Sequence, residues 1–146
     1  MISRRCTYSL QSLVYLTREP SERYVPMRQI SESLSIPASY LAKILSDLAG
    51  RHFIKTRKGA QGGAMLLADP VTLSVRDVVL AIDGPGLFES CILGLPGCGR
   101  QAPCPMHRPW SSTRSALESG FATLTIQELA TLMAQNTTLG SFFTLL

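Results

Sequence analysis

The sequence predicts a mainly α protein with one small β-hairpin, a winged helix-turn-helix domain followed by a long dimerisation helix. Three observations carry that reading. Apolar residues recur at helical spacing through most of residues 6–50. A basic, glycine-rich stretch at 53–67 sits between two short apolar runs. A further apolar stripe runs from Trp110 to Leu124, beyond a domain that already has enough apolar residues for its own core.

The first helix is expected over 6–18. Leu10, Leu13, Val14 and Thr17 fall at i, i+3, i+4 and i+7, and Pro20 blocks continuation. A short helix over about 27–34 follows, with Ile30 and Leu34 on one face. Pro37 suits the first turn of a third helix over 37–50, striped by Leu41, Ile44, Leu45 and Leu48, and Gly50 suits its end. Two short helices joined at Ser35-Ile36 outline a helix-turn-helix, whose second helix presents its N-terminal residues to base edges. Next, Phe53–Lys58, Gly59-Ala-Gln61-Gly62-Gly63 and Ala64–Leu67 read as strand, turn and strand. The turn is no phosphate-cradling loop, because no Gly-Lys-Ser/Thr follows it. Ser74 and Asp77 have the spacing of a capping box that opens a further helix, and Asp83-Gly84-Pro85-Gly86 stops it. Pro109 suits the first turn of the long helix carrying Trp110, Arg114, Leu117, Phe121 and Leu124. Thr125 and Glu128 form a second capping pair before Leu129 and Leu132. The organisation expected is 1–84 as the DNA-binding domain, 85–108 as a cysteine-rich loop, and 109–146 as the dimerisation helix with a C-terminal segment.

Charge agrees with a polyanion-binding first half. Residues 1–60 carry ten Lys/Arg against four Asp/Glu, and residues 61–146 carry four against six. The halves are therefore +6 and −2 within a net charge of +4. The N-terminus lacks the apolar run of a signal peptide and no run of 18 apolar residues occurs, so a cytoplasmic protein with reduced thiols is expected. No nucleophile–base pair or paired carboxylates stand at catalytic spacing, which argues against an enzyme.

The chemistry-bearing stretch is Cys91 to His107. Three of the four cysteines fall there, with gaps of six and five residues, and His107 follows Cys104 after two more. Prolines 96, 103 and 105 and glycines 97 and 99 keep this stretch irregular, so its sulfurs can converge on one point. Thiolate with imidazole suits zinc or an iron–sulfur cluster and argues against calcium or magnesium. Zinc ribbons use paired Cys-x-x-Cys knuckles, which are missing here, so spacing says metal and leaves its identity open. Cys6 reads as a small core residue of the first helix, with a role as an alternative ligand left open.

At this point the chain resembles the iron–sulfur winged-helix transcription regulators typified by IscR, NsrR and RirA, the Rrf-two family. The resemblance runs from about Ser3 to Leu132. It rests on Ile30-Ser-Glu through Ser39-Tyr40-Leu41, the Lys58-Gly-Ala-Gln-Gly-Gly wing, Leu73-x-x-Val-x-x-Val-x-x-Ala-Ile-Asp-Gly84, and Cys91…Cys98…Cys104-Pro-x-His107-x-x-Trp110. It implies a homodimeric regulator, a repressor by expectation, with crossed long helices on a palindromic double-stranded DNA operator. It implies a cluster, [2Fe–2S] before [4Fe–4S], held by Cys91, Cys98 and Cys104. His107 stands where IscR-like members carry a histidine, whereas Tyr8 stands where NsrR-like members use an aspartate. The residues expected to meet DNA are Arg28, Ser39, Tyr40, Lys43, Lys55, Arg57, Lys58 and Gln61. The wing departs from the family pattern at Lys58, Gln61 and Ala64, and a lysine cannot fork onto a base or phosphate as arginine does. Cluster loss would free the loop, change the spacing of the two winged domains and alter operator affinity by about 1–3 kcal/mol. The alternative is a winged-helix regulator using its cysteines for thiol-redox sensing or a structural zinc.

Overall fold

A computed structural model describes residues 1–99 and 102–135 of the chain. Helix α1 (Arg4–Arg18) opens on Ser3, whose side-chain oxygen accepts from the Cys6 backbone at 3.1 Å. Helices α2 (Met27–Leu34) and α3 (Ala38–Gly50) meet at Ser35, in the left-handed conformation at φ 51°. The Ser31 hydroxyl donates to the Ile36 carbonyl at 2.6 Å and fixes that turn. Strands β1 (Ile54–Arg57) and β2 (Gly63–Leu66) pair antiparallel, with Ile54 opposite Leu66 and Arg57 opposite Gly63. Val25 bridges to the other edge of β2 by exchanging backbone hydrogen bonds with Ala64 at 2.8 and 2.9 Å. That approach requires glycine at 63, because a Cβ there would collide with the Val25 carbonyl.

Helix α4 (Val75–Asp83) carries the complete capping box expected of Ser74 and Asp77. Gly84 then turns the chain at φ 76°. A short helix, α5 (Gly86–Glu89), precedes the cysteine loop. Helix α6 (His107–Thr123) leads through Leu124 and Thr125 to α7 (Ile126–Gln135). The second capping pair also forms, with the Thr125 N–H donating to Glu128 at 2.9 Å and the Glu128 N–H to the Thr125 hydroxyl at 3.1 Å.

One core joins α1, α2, α3, α4, β1 and α7. Leu13, Ile30, Leu41, Leu48, Ile54, Val78, Val79 and Ile126 are fully enclosed in it, and so is Cys6. The stripe expected on α3 (Leu41, Ile44, Leu45, Leu48) is its buried face. Backbone bonds from Val75 to Leu124 and from Ile126 to Leu73, both 2.9 Å, fasten the α6–α7 corner onto the start of α4.

Several boundaries differ from the sequence expectation. Helix α1 starts two residues earlier, because Ser3 supplies a cap. Both strands are shorter or shifted by a residue, since Val25 rather than the hairpin alone sets the pairing of Ala64. Pro37 caps α3 rather than entering its first turn. Helix α6 begins at His107, two residues before Pro109. Helix α5 was not expected, since four residues beginning with glycine carry no period. The tail from Asn136 to Leu146 lies outside the described residues.

Candidate metal centre and nucleic-acid interface

The loop between α5 and α6 turns at Gly94, Gly97 and Gly99, all at positive φ. These turns bring Cys91, Cys98 and Cys104 together, with the three sulfurs all within 4.8 Å of one another. The Cys91 and Cys104 sulfurs are 3.8 Å apart. Cys98 Sγ accepts from the Cys104 backbone N–H at 3.5 Å and lies 3.5 Å from His107 Nδ1. His107 reaches that point from the first position of α6, with its ring against Gly99. A side chain at 99 would collide with the imidazole, and the backbone there sits at φ 87°. The sequence motif included Gly99 only as a loop former; its second role depends on the ring lying over it.

Electrostatics separate the three thiols. Backbone hydrogen bonds from Leu95 and Leu93 hold the Cys91 thiol down to about 7, from 9.0, with Cys98 and Cys104 acting in the same direction. Partial burial pushes the Cys104 thiol up, and its neighbours Cys98 and Cys91 add to that. The thiolate is the form that binds metal. Three converging sulfurs with an imidazole nitrogen beside them are a donor set that fits an iron–sulfur cluster or zinc. Cys6 is elsewhere, wholly buried, its thiol pushed up to about 12 by burial, with Asp83 adding and Arg5 opposing. Tyr8 is turned toward α3, edge-on to Tyr40 at 5.7 Å.

The loop is rooted on α6. Trp110 Nε1 donates to the Ser90 carbonyl at 2.8 Å, and Arg114 donates to the same carbonyl at 2.9 Å and to that of Glu89. Sequence periodicity had made Arg114 merely a member of the α6 stripe. Its role depends on a partner 24 residues away, for which the sequence holds no local signal. Helix α6 is itself held on α4 by the Arg76–Glu118 ion pair and on α5 by Phe121, edge-on to Phe88 at 6.2 Å.

On the winged half, Ser39 and Lys43 stand exposed on the outer face of α3, while Tyr40 is half-buried at its flank. Arg28 is exposed but engaged with Glu32 at 2.7 Å. In the wing, Arg57 lies over the Tyr24 ring, 4.4 Å from its centroid, and donates to the Gln61 carbonyl at 3.2 Å. It therefore braces the turn. Lys55, Lys58 and the Gln61 side chain are exposed and make no ion pair or hydrogen bond among the described residues.

A helix-turn-helix with a β-hairpin wing and a three-cysteine loop defines the class: a winged-helix transcriptional regulator with a thiol-rich loop. Residues 2–132 match the Rrf2 family, described as an iron-dependent transcriptional regulator, and the chain belongs to that family. It is 27% identical over 128 residues to protein rrf2 of Nitratidesulfovibrio vulgaris, covering 88% of this chain and 85% of that one. It is also 27% identical to the HTH-type transcriptional regulator IscR of Vibrio vulnificus, covering 84% and 72% respectively. The fold is similar to that of CymR, the global cysteine regulator of B. subtilis, with TM-score 0.73, 21% identity and coverage of 90% and 97%. The chain is a transcriptional regulator and not an enzyme, as the family assignment requires. Among the described residues, no helix is long and apolar enough to cross a membrane.

Proposed function

We propose that this chain is a cytoplasmic, homodimeric repressor whose affinity for a palindromic DNA operator is set by an iron–sulfur cluster. In this reading residues 1–84 bind DNA, 85–108 hold the cluster and 109–146 join the two copies. Cys91, Cys98 and Cys104 are the thiolate ligands and His107 the fourth, with [2Fe–2S] favoured over [4Fe–4S]. One observation carries the reading: three sulfurs within 4.8 Å of one another, on a loop whose root is bonded to α6. His107 is favoured over Cys6 because its Nδ1 lies 3.5 Å from Cys98 Sγ, whereas Cys6 is enclosed in the core.

When bound, such a cluster supplies iron that responds to redox state, nitric oxide or iron supply. The rest is done by the chain. Trp110 and Arg114 hold the Ser90 carbonyl against α6, and His107 begins that helix, so both ends of the loop move with it. A change in loop order thus reaches α6 directly, and through Arg76–Glu118 it reaches α4 and the winged core. In a dimer this alters the distance between two recognition helices, which must match half-sites about one DNA turn apart. Ser39, Tyr40 and Lys43 face the groove, while Lys55, Lys58 and Gln61 bring the wing to the backbone or an adjacent groove; Arg57 and Arg28 act at its edge.

The test is anaerobic purification, visible absorption, iron and sulfide counting, and operator selection with the loaded and chelated protein side by side. A colourless protein with no iron after anaerobic reconstitution would end the cluster reading.

A second reading is favoured by the 3.8 Å between the Cys91 and Cys104 sulfurs. Oxidation of that thiol pair by a peroxide would form one S–S bond and convert the peroxide to alcohol and water. Thiol counting and intact mass after peroxide treatment of the chelated protein check it. Bound zinc instead of iron would support a structural site.

A further inference from the structure

The basic residues that the DNA-binding reading uses lie on α3 and in the wing, but another cluster flanks them. Tyr40, Asp47 and Arg51 fall at i, i+7 and i+11, which places them along one line of α3, on the flank that faces α1. Arg5 reaches across from α1 and donates through Nε to Asp47 Oδ2 at 2.8 Å, with a second bond from its terminal nitrogen to the same oxygen. Arg51 Nε lies 3.4 Å from the other Asp47 oxygen. These groups, with Lys43 and Ser46, line an open groove beside the outer face of the helix.

We infer that Arg5 and Arg51, braced by Asp47, form a second phosphate-binding site for duplex DNA, where α3 leaves the groove. The inference rests on the reading that the winged half binds DNA. Three arguments support it.

The first is charge. Arg5, Lys43 and Arg51 against Asp47 leave the groove at +2, and the partial negative charge of about one half at the C-terminus of α3 does not reverse it. The second is donor supply. Asp47 occupies one edge of the Arg5 guanidinium and only Nε of Arg51. Arg5 Nη1 and both terminal nitrogens of Arg51 have no partner among the described residues, and both side chains are partly exposed, at 46% and 36%. A carboxylate between two guanidiniums offsets their repulsion and fixes their planes, as two-pronged phosphate recognition needs. The third is position. From Lys43 to Arg51 is eight residues, or about 12 Å along the axis. That is close to the width of the major groove, so a helix whose first turns enter the groove brings its end to the groove's phosphate rim. Arg5, supplied by α1, then meets the same rim from the helix packed beside α3.

The experiment uses the full chain, purified anaerobically, and a random-sequence duplex of about 30 base pairs, with affinity read by fluorescence anisotropy across a sodium chloride series. Four proteins are compared: the parent, Arg5→Ala/Arg51→Ala, Lys55→Ala/Lys58→Ala in the wing, and Asp47→Asn. Each lost phosphate contact lowers the log–log salt slope by about 0.9. The arginine pair should therefore flatten the slope by about 1.8, with its urea midpoint little moved because the ion pairs are exposed. Asp47→Asn keeps both guanidiniums and removes a repelling charge, so its slope should hold or steepen. A flattened slope for the wing pair but an unchanged one for the arginine pair overturns the inference and leaves the DNA-binding reading intact. Unchanged slopes for both pairs overturn the reading and the inference with it. If the arginine pair unfolds, Asp47→Asn decides. Binding lost with the parent slope kept means that the triad only ties α1 to α3, and the inference fails. Binding retained with a slope as steep as the parent's supports it.

Discussion

Helices α3 and α6 look alike in sequence and differ in what covers them. Both carry apolar residues three and four apart. Helix α3 has thirteen residues and buries Leu41, Ile44, Leu45 and Leu48; α6 has seventeen and buries none. Leu117 and Phe121 only lean on the core from outside it. Periodicity says which face of a helix is apolar, but whether the same chain covers that face is a separate matter. The winged half closes its own core. The α6 side leaves an apolar stripe beside a loop with exposed Ile92, Leu93 and Leu95, which suits the second copy proposed for the dimer.

This contrast breaks most visibly at the cofactor. Replacing Cys98 removes the sulfur that meets both the Cys104 N–H and His107. Cys98→Ala should lose all visible absorption in anaerobic preparations, yet keep far-ultraviolet circular dichroism and slow amide exchange in α1 and α3. Loss of the slow amides as well would mean that the winged half depends on the loop, and the division drawn between the two regions would fall.

A pair of leucine truncations comes next in size. Leu48 is fully enclosed at the centre of the winged core, whereas Leu132 on α7 is 55% exposed. Leu48→Ala should cost about 2–5 kcal/mol in urea unfolding, from lost burial and the cavity left behind. Leu132→Ala should cost less than about 0.5 kcal/mol at protein concentrations that keep the chain monomeric. A larger cost for Leu132 that grows with protein concentration would put this leucine in the contact between copies.

What could be read in advance follows the same division. The α3 stripe, the hairpin and both capping boxes depend on residues within a few positions of each other, so local spacing announces them. The three cysteines were legible because their side-chain chemistry is specific even where the backbone is irregular. The bonds of Trp110 and Arg114 to Ser90 were not, because the donors and the acceptor are 20 or more residues apart and any backbone carbonyl would satisfy them. Helix α5 was missed because Gly86–Glu89 is a single turn. Pro109 misplaced the start of α6 by two residues, since proline is tolerated anywhere in a first turn, and His107 was therefore taken as a loop residue.

Cys6 gives a smaller test, within the winged half alone. Its thiol is held at about 12 in the folded chain, against 9.0 ordinarily. Above pH 9 the unfolded chain releases this proton and the folded chain keeps it, so stability is full below about 9 and declines as pH rises toward 12. At pH 10 the loss attributable to this group is roughly 1 kcal/mol. Urea midpoints for the parent should therefore fall between pH 8.5 and about 10 by more than those of Cys6→Ala. Parallel curves would show that the buried thiol contributes nothing to alkaline destabilisation. Absorption from a bound cluster should be equal in the two proteins throughout; bleaching specific to Cys6→Ala would move the fourth ligand from His107 to α1.

The smallest expected effect separates two neighbouring cations in the wing. Arg57 is committed to the Tyr24 ring and the Gln61 carbonyl, whereas Lys58 is exposed and meets no partner among the described residues. Lys58→Ala should remove one phosphate contact and flatten the salt slope of DNA binding by about 0.9. Over a change from about 50 to 200 mM salt, that makes the variant's affinity fall roughly threefold less than the parent's. Arg57→Ala should act differently. Losing the brace loosens the Gly59–Gly63 turn, so affinity should drop at every salt concentration with little change of slope. Equal slope changes in the two variants would mean that Arg57 also reaches the backbone and that its contacts with Tyr24 and Gln61 give way on binding. Neither substitution touches the cysteine loop, so the visible absorption of the loaded protein should be the same in both. A change there would show that the wing and the loop report to each other without DNA.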